Sequence, residues 1–120
     1  MHILNVPKGD CIGYGNYYVA PRDMNIAVVP VGYADGLPRN LTNRFECLIK
    51  GKRFASVGSI CMDEFMVDIT DSCVKQGDEV VLIGKQGNEE ITIYELATLS
   101  YSIPYERTSA ISDRVKRVIL

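Results

Sequence analysis

Glycine-bearing turns cut this chain into runs too short for long helices and suited to small strands. Residues 25–31 are rich in Ile and Val and lie between Asp23 and Gly32. Residues 45–50 and 53–57 flank Gly51-Lys52, a pattern that predicts a hairpin turn. Within 60–69, Phe65, Val67 and Ile69 alternate with Glu64, Met66 and Asp68, which predicts a strand with one buried face. Gln76-Gly77-Asp78 turns the chain into a further apolar run at 79–83, and 84–88 reads as a polar loop. A last strand is expected at 115–120. One short helix stands apart near 92–101: Thr92-Ile93-Tyr94-Glu95 matches a capping box, and Pro104 reads as its stop. Many short strands and one helix in 120 residues predict a mainly β domain, a closed or nearly closed small β-barrel with Greek-key-like connections.

Composition narrows the function classes. With 47% apolar and 23% charged residues, 1–120 reads as one ordinary globular domain. A formal net charge of −2 gives no electrostatic reason to expect nucleic-acid binding. No stretch approaches the ~20 apolar residues that a membrane-spanning helix needs. Met1-His2-Ile3-Leu4-Asn5 has neither a basic region nor a long apolar run, so a cytoplasmic location is expected. Cys11, Cys47, Cys61 and Cys73 contain no Cys-x-x-Cys pair, and His2 is the only histidine. That spacing argues for free thiols and against a metal site.

The candidate chemistry sits on tyrosines in turns. Tyr14 lies between Gly13 and Gly15, and Tyr33 lies in Gly32-Tyr33-Ala34-Asp35-Gly36. Glycines permit sharp turns and close approach of another molecule, so such a tyrosine can offer its hydroxyl to a ligand instead of burying its ring. A phenol has an unperturbed pKa of about 10, so it serves as a base near neutral pH only if its surroundings stabilise the phenolate. The sequence supplies the phenol without an evident partner, which reads as half of a site.

Several segments, taken in order, make the chain resemble the C-terminal domain of the alanine racemase family. They are Gly13-Tyr14-Gly15-Asn16-Tyr17-Tyr18, Val29-Pro30-Val31-Gly32-Tyr33-Ala34-Asp35-Gly36-Leu37-Pro38-Arg39, Val57-Gly58-Ser59-Ile60-Cys61-Met62-Asp63, Leu82-Ile83-Gly84 and Ile103-Pro104-Tyr105-Glu106. The trailing Arg114-Val115-Lys116-Arg117 fits the family's Arg-Val-x-Arg ending. The resemblance implies a pyridoxal 5'-phosphate enzyme that interconverts L-alanine and D-alanine, with D-alanine destined for peptidoglycan. It implies a larger N-terminal α/β barrel, absent here, whose lysine binds the cofactor covalently. It also implies a homodimer with shared active sites, in which this domain serves the partner subunit. Racemisation needs a base on each face of the substrate, because a single base tends to return the proton to the face it left.

Carried over by motif, the resemblance makes Tyr14 the catalytic tyrosine base. Tyr33 becomes the tyrosine at the inner gate of the substrate channel, and Met62 the residue whose main-chain N–H approaches the substrate carboxylate. Tyr105 becomes the cofactor-binding tyrosine, with its hydroxyl on the phosphate. The competing reading for each tyrosine is a buried ring with its hydroxyl satisfied by backbone, and Met62 by type is core filler. For Tyr17, Tyr18, Tyr94 and Tyr101 the structural reading leads. Asp35 reads as a loop-fixing acceptor of local backbone donors. Arg39 is either a channel-lining charge or a salt-bridge partner. Asp63 and Glu64, on an alternating strand, would face opposite ways and form no metal site.

The chain departs from the family in two respects. Lys8, Lys50, Lys52, Lys75, Lys85 and Lys116 all lack the context of the cofactor lysine, so the domain alone is expected to be inactive. Ser59 stands where several family members have a basic residue lining the channel mouth. Two other functions stay open: the related domain of a serine racemase of the glycopeptide-resistance type, and a non-catalytic binding or dimerisation module.

Overall fold

The computed structural model describes residues 1–120. Strands β1 (His2–Val6), β2 (Met24–Val29), β3 (Glu46–Ile49), β4 (Lys52–Val57), β5 (Phe65–Asp68) and β6 (Val80–Val81) form one sheet, ordered β1-β2-β5-β4-β3-β6. Every pairing in it is antiparallel. Strands β7 (Gly84–Gln86) and β8 (Glu89–Ile91) form a separate hairpin, and α1 (Ile93–Leu99) and α2 (Pro104–Ser109) follow.

The domain is mainly β, as expected, but no sheet closes into a barrel. Closure requires the outer strands to meet, whereas β1 pairs only with β2 and β6 only with β3. The strands are too short to curl fully round: β6 offers Val80 and Val81 alone, and β4 meets β5 only at Ser56↔Val67 and Val57↔Met66. Other elements cover the core instead. Leu96 of α1 is buried in the main cluster, with Ile93 and Leu99 packed against it, and Ile91 of β8 is buried too.

The central strands are buried on both faces. Ala27 and Val29 of β2 and Phe65 and Val67 of β5 enter the main cluster, where the Phe45 and Phe65 rings lie 5.1 Å apart. Met24, Ile26 and Met66 enter a smaller cluster on the other side, with Ile12, Ala20, Val57 and Cys61. This corrects the expected alternation. Met66 is only 6% exposed because residues 10–20 fold over the face that the pattern left to solvent. The strand is also shorter than 60–69, and residues 60–64 form the turn leading into it.

Other expectations shift for local reasons. The β3–β4 hairpin turns at Lys50-Gly51, not Gly51-Lys52: Ile49 pairs with Lys52, and both turn residues take positive φ, 52° and 73°. That is the backbone a two-residue turn needs to match strand twist. The supposed polar loop 84–88 contains β7 and turns back at Gly87-Asn88. Thr92 caps α1 by accepting from the Glu95 N–H at 3.2 Å. The Glu95 carboxylate, however, turns to Arg53 at 2.6 and 3.1 Å and does not complete the box. Pro104 starts α2 instead of ending α1, because its missing N–H costs nothing at the first helical position. No strand forms at 115–120, where Val118, Ile119 and Leu120 are exposed and pair with no sheet edge. β1 itself escaped the sequence reading.

Candidate active site

Residues 9–20 fold back on themselves and end in the Tyr14 turn. Cys11 bridges Val19, the Ile12 N–H donates to the Tyr18 carbonyl at 2.9 Å, and the Ala20 N–H donates to the Asp10 carbonyl at 2.9 Å. Ile12 and Ala20, 4% and 2% exposed, anchor this flap in the smaller cluster. Gly13 then takes φ 78°, and a Cβ there would lie 2.9 Å from Met66 Cε and 2.9 Å from the Ser59 nitrogen. Only glycine satisfies both the angle and the space. The Ser59 hydroxyl, itself buried, donates to the Tyr14 carbonyl at 2.7 Å. Backbone held this way leaves the Tyr14 side chain free: it is 73% exposed, and its hydroxyl has no partner in the chain.

The Tyr33 turn is built from main-chain contacts. Tyr33 N–H donates to the Cys61 carbonyl and Ala34 N–H to the Met62 carbonyl, both at 3.0 Å. Gly32 makes this approach possible, since a Cβ there would collide with both carbonyls. Asp35 accepts from the Gly32 N–H at 2.8 Å and so fixes the loop, as its sequence context implied.

The two turns open onto one pocket of about 540 Å³. Tyr14, Tyr33 and Met62 line it together, with Arg39, Asp63 and Glu64; Ser59, Ile60 and Cys61 form the remainder of its wall. Met62 is exposed rather than core filler, and its N–H donates to no group of the chain. Arg39 is the only basic side chain lining the pocket and enters none of the ion pairs within this chain. Asp63 and Glu64 lie in the turn before β5, not on an alternating strand. No cluster of potential ligands gathers for a metal. Burial pushes the Cys61 thiol up, Glu64 adds to the effect, and Arg39 opposes it.

Tyr105 stands elsewhere. It lies in the first turn of α2, is 82% exposed, and is not part of this pocket. Of the other tyrosines, Tyr18 packs against the smaller cluster and Tyr101 takes Arg44 over its ring at 4.6 Å. Tyr17 and Tyr94 are exposed and belong to no core. The residues of this chain do not make a complete pyridoxal-phosphate site, because none of its lysines lines the pocket. Sequence reasoning missed the holding role of Ser59. A small hydroxyl at a position expected to be basic was its one visible signal.

The fold is an antiparallel β domain that displays two tyrosines and an unspent main-chain N–H over an open pocket. The profile of the family described as "Alanine racemase, C-terminal domain" matches residues 1–119, and the chain belongs to that family. It is 49% identical to alanine racemase 1 of Caldanaerobacter subterraneus subsp. tengcongensis, over 98% of this chain and 31% of that protein. It is 53% identical to the alanine racemase of Cutibacterium acnes, over 96% of this chain and 31% of that protein. The chain thus spans under a third of the curated relatives it matches.

Solved structures agree. The Bacillus anthracis alanine racemase with bound L-Ala-P superposes with a TM-score of 0.90 at 45% identity, over 95% of this chain and 29% of that one. The Bartonella henselae enzyme with covalently bound pyridoxal phosphate gives 0.89 at 32%, over 97% and 32%. The histidine racemase of Leuconostoc mesenteroides subsp. sake gives 0.90 at 32%, over 100% and 32%.

Proposed function

We propose that this chain supplies one face of an amino-acid racemase site, with alanine as substrate and the Tyr14 Oη carrying a proton to or from the α-carbon. A second base, outside this chain, serves the opposite face, since inversion needs proton transfer on both sides. Pyridoxal phosphate, held by a lysine on a further domain, supplies the electron sink that acidifies the α-proton. Within the chain, the Met62 N–H and Arg39 are placed to meet the substrate carboxylate, Tyr33 narrows the approach, and Tyr105 serves the cofactor phosphate on its own face. A phenol works as a base near neutral pH only beside positive charge. Arg39 is the only cation this pocket has, so the rest comes from the subunit that closes over it, in a homodimer with shared sites.

The observation that carries this reading is the outward, unpartnered hydroxyl of Tyr14 beside Tyr33 and Met62. A ring packed inward would have removed it. The test is Tyr14→Phe in the full-length protein, followed by deuterium exchange at the α-carbon of each enantiomer in D₂O. Exchange from one enantiomer should fall by about a thousandfold, a loss in the range of a removed general base. The chain alone with pyridoxal phosphate should not racemise alanine. Unchanged turnover in Tyr14→Phe would favour the binding or dimerisation module.

The substrate side chain is a separate question. A histidine racemase shares this fold at 32% identity, which supports placing side-chain selection outside the domain's framework. Serine is therefore the second substrate to assay.

A further inference from the structure

The Arg-Val-x-Arg segment has no role in the reading above, yet it is seated directly on the pocket's loops. Arg114 Nε lies 3.5 Å from Asp35 Oδ1, and Arg114 Nη2 lies 2.6 Å from Asp63 Oδ1. Asp35 belongs to the Tyr33 turn, and Asp63 follows Met62 directly. One guanidinium therefore reaches carboxylates from two of the three segments around the pocket, those of Tyr33 and Met62. The planar fork of arginine suits this, whereas the compact ammonium of lysine reaches one arm at a time.

Two further contacts fix the segment in place. The Ser112 N–H donates to the Asp35 carbonyl at 3.1 Å. Gly36 allows the chain to press against its loop, for a Cβ there would lie 2.7 Å from the Ala110 oxygen and 2.9 Å from Ile111 Cα. Arg117 stiffens the segment from within, donating to the carbonyls of Ile111, Ser112 and Val115 at 2.9, 2.6 and 2.8 Å.

We infer that Arg114 is a positioning residue of the pocket: as a staple, it reinforces the two main-chain hydrogen bonds that join the Tyr33 turn to the Cys61–Met62 segment, and so steadies the spacing between the Tyr33 ring and the Met62 N–H. This rests on the reading of the pocket as an amino-acid site. The Asp63 arm is exposed, and exposed ion pairs contribute little to global stability. The staple therefore acts on local geometry, where displacements of about 1 Å can cost orders of magnitude in rate.

The test uses Arg114→Gln, Arg114→Lys, Asp63→Asn and the double variant of Arg114→Gln with Asp63→Asn, in the intact, cofactor-loaded protein. Two readouts are taken: hydrogen exchange at the Tyr33 and Ala34 amides, and KM and kcat for alanine. Arg114→Gln should speed exchange at those amides by about tenfold through local opening, with little change in melting temperature. KM should rise by about fivefold to tenfold, more than kcat falls. Arg114→Lys should recover part of both effects, and the double variant should be no worse than Arg114→Gln alone. Unchanged exchange and unchanged KM in Arg114→Gln would overturn the staple. If that variant unfolds, Asp63→Asn decides, because it cuts one arm and leaves Asp35 in place; no change in either readout then has the same meaning. The racemase reading fails separately: turnover unaffected by Tyr14→Phe would sink it while the exchange result still judged the staple.

Discussion

The turn carrying Tyr14 rests on apolar side chains, with Ile12 and Ala20 sunk into the smaller core and one hydroxyl, from Ser59, holding its backbone. The turn carrying Tyr33 reaches the main core only at its ends, through buried Leu37 and half-buried Val31. It is held by main-chain hydrogen bonds to Cys61 and Met62, by Asp35 on the Gly32 N–H, and by the ion pair of Asp35 with Arg114. Both reach the same pocket. The first is therefore set by packing, which tolerates salt and fails with lost volume. The second adds to its packed ends a tip held by close backbone approach and charge, which fails with crowding or screening.

Substitutions should separate the two supports. Gly32→Ala has the largest expected effect: its methyl would strike the Cys61 and Met62 carbonyls, and overpacking against backbone should cost about 3 kcal/mol in urea unfolding. The Tyr33 turn should move while the Ile12 amide keeps its exchange protection. Ile12→Ala should reverse that pattern, costing about 2.5 kcal/mol through a cavity under Tyr14. Exchange at Ile12 and Ala20 should quicken and that at Ala34 should not. If both variants loosened both turns equally, the supports would not be independent.

Ser59→Ala removes a single hydrogen bond and should cost about 1 kcal/mol, read as a small fall in urea midpoint, with faster amide exchange confined to the Tyr14 side. The smallest effect concerns pH. Hydrogen bonds from Ser102 and Arg107 hold the Glu106 carboxyl below its ordinary value of 4.5. A depressed carboxyl contributes stability above its unfolded value and loses it as pH falls through the folded one. Acidification from pH 6 to below 4 should thus loosen α2, the base of the segment that grips the Tyr33 turn. The Ala110 amide, which donates to the Glu106 carbonyl at 3.0 Å, reports it. The Tyr14 side should not respond.

Much of the site was legible because its signals are local. A tyrosine beside glycine in a short turn is marked by composition, and the ordered segments around Tyr14, Tyr33 and Met62 carried the family resemblance. Tyr105 was legible as a motif residue, but not its separation from that pocket, which depends on where α2 lands. The helix start at Thr92 was readable, but the destination of Glu95 was not, because its partner Arg53 comes from a distant strand. The alternation at 64–69 misled for a similar reason: period two reports two faces, and nothing in it says that residues 10–20 will cover the second.

What the residues by themselves determined is local: where glycine must turn the chain, which runs favour strands, and which tyrosines sit on turns. Only the folded arrangement decided that the sheet stays open, that Ser59 braces Tyr14, and that Arg114 spans two loops. Those outcomes depend on which distant groups come within a few ångströms of one another, and such contacts arise from packing many short elements around a shared core.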